Sequence, residues 1–437
     1  MCFVIAAYFK RSKIKNAHHL RVKGPVIIAM NHPNAFMDPI AFTTLAYPPR
    51  VYYLARGDAF KKGIVSTLLE SFGIIPIFRI QDGGKEGLKK NDATYERVNA
   101  LLKQNQKIII FAEGLCIQER RLRPLKKGVP RMVFGSMEAN DLKDLTVVPV
   151  GVNYSHPSQF RSTLFCNIGE PMKVSDYMES YNEAPAKTMN QFLSDLAPRM
   201  KELIVHINTK HYEKLIEHIE EIYRYHFFKK EKLNLKDVEH DFVFSTKVVE
   251  AVNKLEETNE EQLKALYEKT KPYFTDLKKH QLKDWLLNPE KQSLINYPLF
   301  ILRSLYILVT LPIYIRGLIG NYIPYKLTYF ITSKKVRVIE FKASFNMGIG
   351  ALLTLLYYIL QFFVVKAIVL NIWIAVLFVV ISFITGLFCL HISPFRKKTM
   401  GIYRILKMKS TNPKIYDDIK DRRVEILNDI EKLMSHQ

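Results

Sequence analysis

Residues Ser344–Val365 are 22 consecutive positions without a charge, and after Lys366 the run Ala367–Pro394 is 28 more without Asp, Glu, Lys or Arg. A helix of about 20 apolar residues covers the ~30 Å hydrocarbon core of a bilayer. Two adjacent runs of this length predict a transmembrane helical hairpin, with arms at about 344–365 and 372–393 and a turn near Lys366–Asn371. Lys334, Lys335, Arg337 and Lys342 precede it, and Arg396, Lys397 and Lys398 follow it. Basic flanks favour the cytoplasmic face, so both ends of the hairpin are expected there, in a multi-pass membrane protein. The stretch 298–319 differs. Only 12 uncharged residues separate Arg303 from Arg316, and Pro312 lies among them. An interfacial or re-entrant helix is expected rather than a span.

Outside this membrane region, 297–398, the texture changes. Residues 1–204 carry apolar, β-branched runs separated by helix-length segments: VIIAM (26–30), VYYLAR (51–56), IIPIF (74–78), KIIIFAEG (107–114), TVVPVGVNY (146–154) and TLFCNIGEP (163–171). Such alternation predicts an α/β domain with a mixed sheet and helices on both faces. Residues 205–296 are charged, with apolar positions at helical spacing, and read as a helical insert or lid. Residues 399–437 read as a soluble helical tail.

The chain carries 64 Lys and Arg against 42 Asp and Glu, a formal net charge of +22. Such a surface attracts phosphates, anionic headgroups, acidic carriers or nucleic acid. No nucleic-acid-binding motif accompanies the charge, so a nucleic-acid partner is not expected. Cys2, Cys116, Cys166 and Cys389 are scattered without metal-ligand spacing and read as small hydrophobes in a reducing compartment. The opening run MCFVIAAYF lacks a basic lead and a cleavage site; it reads as no secretory signal, leaving a short interfacial anchor as the alternative.

The chemistry-bearing stretch is MNHPNAFMDPI, 30–40, directly after the buried strand VIIAM. His32 and Asp38 each precede a proline, which disfavours helical backbone at both. A loop over 31–37 is expected, with Asp38 as helix N-cap and Pro39 first in the helix. Imidazole and carboxylate then meet at the carboxyl end of a strand, the edge where open α/β sheets bind ligands. A His–Asp pair suits general-base work: the ring takes a proton from a hydroxyl, and the carboxylate fixes its tautomer. A purely structural role for Asp38, as a cap, is the competing reading.

Three further stretches accompany it: FGIIPIFR (72–79), IIIFAEGLC (108–116) and VVPVGVNY (147–154). In this order the four blocks resemble those of the glycerol-3-phosphate and 1-acylglycerol-3-phosphate acyltransferase family, over roughly residues 15–200. His32 and Asp38 are separated by five residues, as in a branch reading N-H-P-N-x-x-x-D. The third block departs from the family's F-P-E-G pattern, reading F-A-E-G-L-C.

The resemblance implies a membrane-bound O-acyltransferase with His32 and Asp38 as the catalytic pair. It needs no bound cofactor or metal; acyl-CoA or an acyl carrier protein is the donor. Arg79 is expected to clamp the acceptor's phosphate, and Glu113 and Gly114 to shape the pocket, with Asn31 beside them. Within the basic run Arg120, Arg121, Arg123, Lys126 and Lys127, Arg123 and Lys127 are the further candidates for phosphate contact. The acceptor is glycerol 3-phosphate or 1-acylglycerol 3-phosphate, handled by a domain facing the cytoplasm among membrane lipids. Another lysophospholipid, lipid hydroxyl or amine is the alternative acceptor. A non-catalytic anionic-lipid binder would explain the charge and the hairpin but not the four blocks. Oligomeric state is not readable.

His206, His211 and His218 form no H-E-x-x-H pattern and read as surface residues, as does the pair His18–His19. GGKEG (83–87) lacks phosphate-loop spacing, and Gly135–Ser136 is not a nucleophile elbow.

Overall fold

The computed structural model describes residues 2–46, 51–57, 64–78, 91–140, 142, 144–208 and 211–435. The chain forms two compact units. The first holds an eight-stranded mixed sheet. Its strands are β1 (Arg11–Lys15), β2 (Val26–Met30), β3 (Val51–Arg56), β4 (Ile74–Ile77), β5 (Lys107–Phe111), β6 (Thr146–Tyr154), β7 (Thr163–Ile168) and β8 (Met172–Lys173). They lie in the order β1-β7-β6-β2-β5-β3-β4, with β8 beside β6. β2 runs parallel to both β5 and β6, whereas β7 and β8 run antiparallel to β6.

Every residue of β2 is buried. A central parallel strand is covered on both faces, which is why VIIAM is apolar without alternation. Among the described residues this part of the chain has the helices α1 (Cys2–Tyr8), α2 (Met37–Ala46), α3 (Ile64–Ser71), α4 (Asn91–Lys103), α5 (Gly128–Asn140), α6 (Met178–Glu183) and α7 (Pro185–Lys201). Ile27 and Ala29 share a core with Val98 and Leu102 of α4, Met132 and Val133 of α5, and Phe192 and Leu196 of α7. Their neighbours in β2 point to the opposite face, where α2 packs against α1 and β1.

The six strand-like runs of the sequence are all strands. β1, with the sequence RSKIK, was not among them. It is an edge strand whose lysines are held by a return of the chain: Lys13 Nζ lies 2.9 Å from Asp237 Oδ2 and 2.8 Å from Glu239 Oε2, and Lys15 Nζ lies 2.8 Å from Glu239 Oε1. The domain division therefore differs from a single cut at 204. The α/β unit takes Met1–His206, Lys236–Phe242 and Val338–Ser344. Two short segments return to it because they carry the partners of an edge strand and of the loops described below.

The second unit is helical: α8 (Glu213–Lys230), α9 (Val238–Thr258), α10 (Glu260–Lys279), α11 (Tyr297–Lys335), α12 (Ile339–Val369), α13 (Ile372–Thr411) and α14 (Pro413–Ser435). α14 packs on α8 and α10. The tail is thus part of the helical core rather than a separate element. Arg423 and Asp284, both 2% exposed, pair at its centre, with Nε–Oδ1 at 2.7 Å and Nη2–Oδ2 at 3.0 Å. The Tyr273 hydroxyl donates to Asp284 Oδ1 at 2.7 Å. Removing one partner strands a buried charge. Asp284→Ala is expected to destabilise the unit by about 3 kcal/mol, read as a lowered unfolding midpoint in detergent; an unchanged midpoint would show the pair to be dispensable.

α11, α12 and α13 are long and apolar enough to cross a membrane. Residues 298–319 are the first part of a longer helix: α11 runs unbroken through 39 residues to Lys335, with Pro312 and Pro324 inside it. Proline lacks the N–H that would bond the carbonyl four residues back. At Pro324 that carbonyl is Gly320 O, and Gln361 Nε2 donates to it at 2.9 Å. The expected hairpin of α12 and α13 is joined by α11, which lies antiparallel along α13. Phe300 stacks on Tyr403 at 5.8 Å, and Asn321 Nδ2 donates to Ser382 O at 2.9 Å. Gly317 allows the approach, since a Cβ there would sit 2.4 Å from Thr385 O.

Candidate active site

Met30, Phe111 and Val150 lie abreast in the sheet, so β2, β5 and β6 deliver their carboxyl ends to one place. The chain leaves β2 through residues 31–36, and α2 begins at Met37. His32 Nδ1 lies 2.9 Å from Asp38 Oδ2, which also accepts from the Asn34 N–H at 2.7 Å. Asp38 Oδ1 accepts the Tyr154 hydroxyl at 2.7 Å. The carboxylate is fully buried, while the His32 side chain is 15% exposed.

The pair meets as the sequence predicts, with one correction. Asp38 lies within the first turn of α2 and is not its N-cap. Asn34 O already accepts from the N–H groups of Met37 and Asp38, so the turn closes earlier. Pro39 is tolerated because first-turn amides have no intrahelical partner in any case. The Asp38 side chain is thereby free to gather three donors.

Nδ1 of His32 faces the carboxylate, which assigns its proton there and leaves Nε2 as the basic nitrogen. Nε2 has no hydrogen bond among the described residues. The Phe111 ring stacks on the imidazole, with centroids 3.6 Å apart and planes at 14°. Burial, and then the neighbouring Asp38 charge, push the Tyr154 hydroxyl well above its ordinary pKa. Tyr154 is therefore a permanent donor to Asp38. Tyr154 and Phe111 end strands that the sequence does show. Only the sheet order reveals that their side chains meet His32 and Asp38.

The remaining predicted residues divide. Glu113 is buried and accepts from the backbone N–H of His32 at 3.4 Å and of Arg123 at 3.1 Å. Burial raises its pKa, and these two N–H groups oppose the rise. Gly114 has φ +64°, the left-handed region that favours glycine, and its N–H closes the turn on Phe111 O at 3.0 Å. Asn31 departs from its expected substrate role. Its side-chain oxygen accepts from Val152 N at 2.7 Å and its amide donates to Val152 O at 3.1 Å, so the group is spent on β6. The Arg123 guanidinium donates to Glu119 Oε1 at 2.9 Å, which already partners its charge. Lys127 is exposed just before α5, without a side-chain contact to His32 or Asp38. Arg79 lies outside the described residues.

Tyr154→Phe tests the buried donor. An unsatisfied acceptor at Asp38 loses a charge-assisted hydrogen bond worth about 1.5–3 kcal/mol. The expected result is a roughly tenfold lower kcat with KM unchanged, a difference of about 1.4 kcal/mol. An equal loss in KM would point to substrate contact instead.

Residues 11–153 match the family model described as Acyltransferase. The chain is 33% identical over 107 residues to "Glycerol-3-phosphate O-acyltransferase 2" of Saccharomyces cerevisiae, covering 24% of this chain and 14% of that protein. It is 39% identical over 80 residues to "Glycerol-3-phosphate O-acyltransferase 1" of the same yeast, covering 18% and 10%. Among solved structures, a 1-acyl-sn-glycerophosphate acyltransferase from Thermotoga maritima aligns with 12% identity and a TM-score of 0.33, over 46% of this chain and 73% of that one. The aligned part thus spans about one seventh or less of the length of these yeast relatives. The match across 11–153 takes in the His32 and Glu113 blocks, which converge on one sheet edge, and makes this part of the chain similar to the acyltransferase family.

Proposed function

We propose that this protein is a membrane-bound O-acyltransferase that moves a fatty acyl group from an acyl thioester to the hydroxyl of glycerol 3-phosphate or 1-acylglycerol 3-phosphate. The observation that carries the reading is the His32–Asp38–Tyr154 chain, 2.9 and 2.7 Å in its two links, at the carboxyl ends of β2 and β6. Nε2 of His32 takes the proton of the acceptor hydroxyl as its oxygen attacks the thioester carbonyl. Asp38 balances the imidazolium charge that forms. The tetrahedral intermediate then collapses, the C–S bond breaks, and the leaving thiolate takes the proton back from Nε2. Acyl-CoA or an acyl carrier protein serves as the thioester. Arg79 is assigned the acceptor's phosphate, by a two-pronged guanidinium contact. The basic flanks of the apolar helices favour a cytoplasmic position for the domain.

Radiolabelled acyl-CoA supplied to membranes holding the protein, with glycerol 3-phosphate and with 1-acylglycerol 3-phosphate, tests this. Label is expected in lysophosphatidate or phosphatidate. Transfer to neither acceptor, but to a lysophospholipid bearing a choline or ethanolamine head, would replace the acceptor assignment and keep the chemistry. No transfer to any hydroxyl from CoA or carrier thioester would remove the reading.

A further inference from the structure

The segment between α11 and α12 touches the loops of the catalytic pair. Glu340 Oε1 accepts from the Gln118 N–H, and Gln118 Nε2 donates to Ile339 O, each at 3.3 Å. The Phe341 ring meets Phe36 edge-on, with centroids 5.7 Å apart. Phe36 lies in the His32 loop, and Gln118 follows Glu113 in the next loop. Residues 338–344 are accordingly part of the α/β unit.

This contact constrains how the chain enters a bilayer. From Lys10 to Asn296 the longest uncharged run is the 16 residues Leu145–Phe160, short of the roughly 20 a span needs and holding β6. The chain therefore reaches α11 on the face of the bilayer that holds the α/β unit. Beyond α11 it is on that same face again, because 338–344 pack within the unit. A single crossing by α11 would put Lys334, Lys335 and Arg337 on the far face, only a few residues from Glu340. The next two helices obey the same rule. They start beside residue 344, and α14 behind them packs on α8 and α10, which precede α11. Lys269 Nζ lies 2.6 Å from Glu425 Oε1 and 2.8 Å from Asp429 Oδ2.

We infer that α11, although long and apolar enough to span, begins and ends on the catalytic face of the membrane, and that α12 and α13 enter and leave it only as a pair. At about 1.5 Å per residue a 39-residue helix is roughly 58 Å long, nearly twice the hydrocarbon thickness; its Asn321 reaches Ser382 within α13, and its Thr332 then bonds Asn346 near the start of α12. Its partner is the acyl-chain region of the bilayer.

The test is sidedness in sealed vesicles, on the full-length protein with Cys2 changed to Ser. Three exposed positions receive one cysteine each: Lys23→Cys in the α/β unit, Arg337→Cys after α11, and Lys414→Cys at the start of α14. A membrane-impermeant polymer maleimide reports each as a mass shift, with acyl transfer measured alongside to show a folded chain. All three are expected to shift from the same side. Arg337→Cys reacting only after permeabilisation, when Lys23→Cys reacts before it, would mean α11 crosses and would overturn the inference. Reaction of Arg337→Cys from neither side overturns it too, since the loop would be buried. Lys414→Cys reacting only from the opposite side overturns the pairing of α12 with α13. None of these outcomes depends on which acceptor the enzyme uses.

Discussion

His32→Ala is expected to lower acyl transfer by roughly 10³-fold or more, near the upper range for loss of a general base. The substitution leaves Asp38 with the Asn34 N–H and the Tyr154 hydroxyl, so two of its three donors persist. Phe111 loses its stacking partner, but β2 and β5 keep their pairing. Folding is therefore expected to survive. The measurement is turnover of labelled acyl-CoA at matched protein level in membranes. Activity within a few fold of the unsubstituted protein would mean that another group takes the hydroxyl proton.

Substitutions at Asp38 separate charge from geometry. An asparagine can turn its oxygen to His32 Nδ1 and the Asn34 N–H, and its amide to Tyr154, whose oxygen can accept. The tautomer is kept and the negative charge is lost. Asp38→Asn is expected to reduce kcat by about 10²- to 10³-fold with little change in stability, because the imidazolium loses its counter-charge. Asp38→Ala removes the acceptor from three donors at once. It is expected to match or exceed the asparagine loss and also to lower the unfolding midpoint, at about 1–3 kcal/mol for each buried group left unpaired. Equal kinetics for the two variants, with equal stability, would confine Asp38 to a structural role.

Much of this was legible in the residues because short-range rules apply to it. VIIAM and KIIIF are too apolar for anything but a central strand, and two X-Pro steps bend the chain between His32 and α2. The pair could be placed within one loop because only five residues separate them. What was not legible is long-range. Tyr154 is 116 positions from Asp38 and meets it only because β6 lies beside β2. Asn31 looked like a site residue from its place next to His32, yet its amide completes the ladder at Val152. β1 carried no apolar signal, since RSKIK is held by acidic residues more than 220 positions later. The continuity of α11 through Pro324 depended on a glutamine from another helix.

The alignment of Met30, Phe111 and Val150 in one row bears on how such a protein can diversify. His32 stands just past the end of β2 and Tyr154 at the end of β6, and one residue inserted in either strand would turn the side chains beyond it to the wrong face. Change is far better tolerated where the peptide has left that row and reached solvent, around residues 124–127. Lineages or engineers seeking a new acceptor would be expected to rewrite that stretch and leave the strand tips untouched.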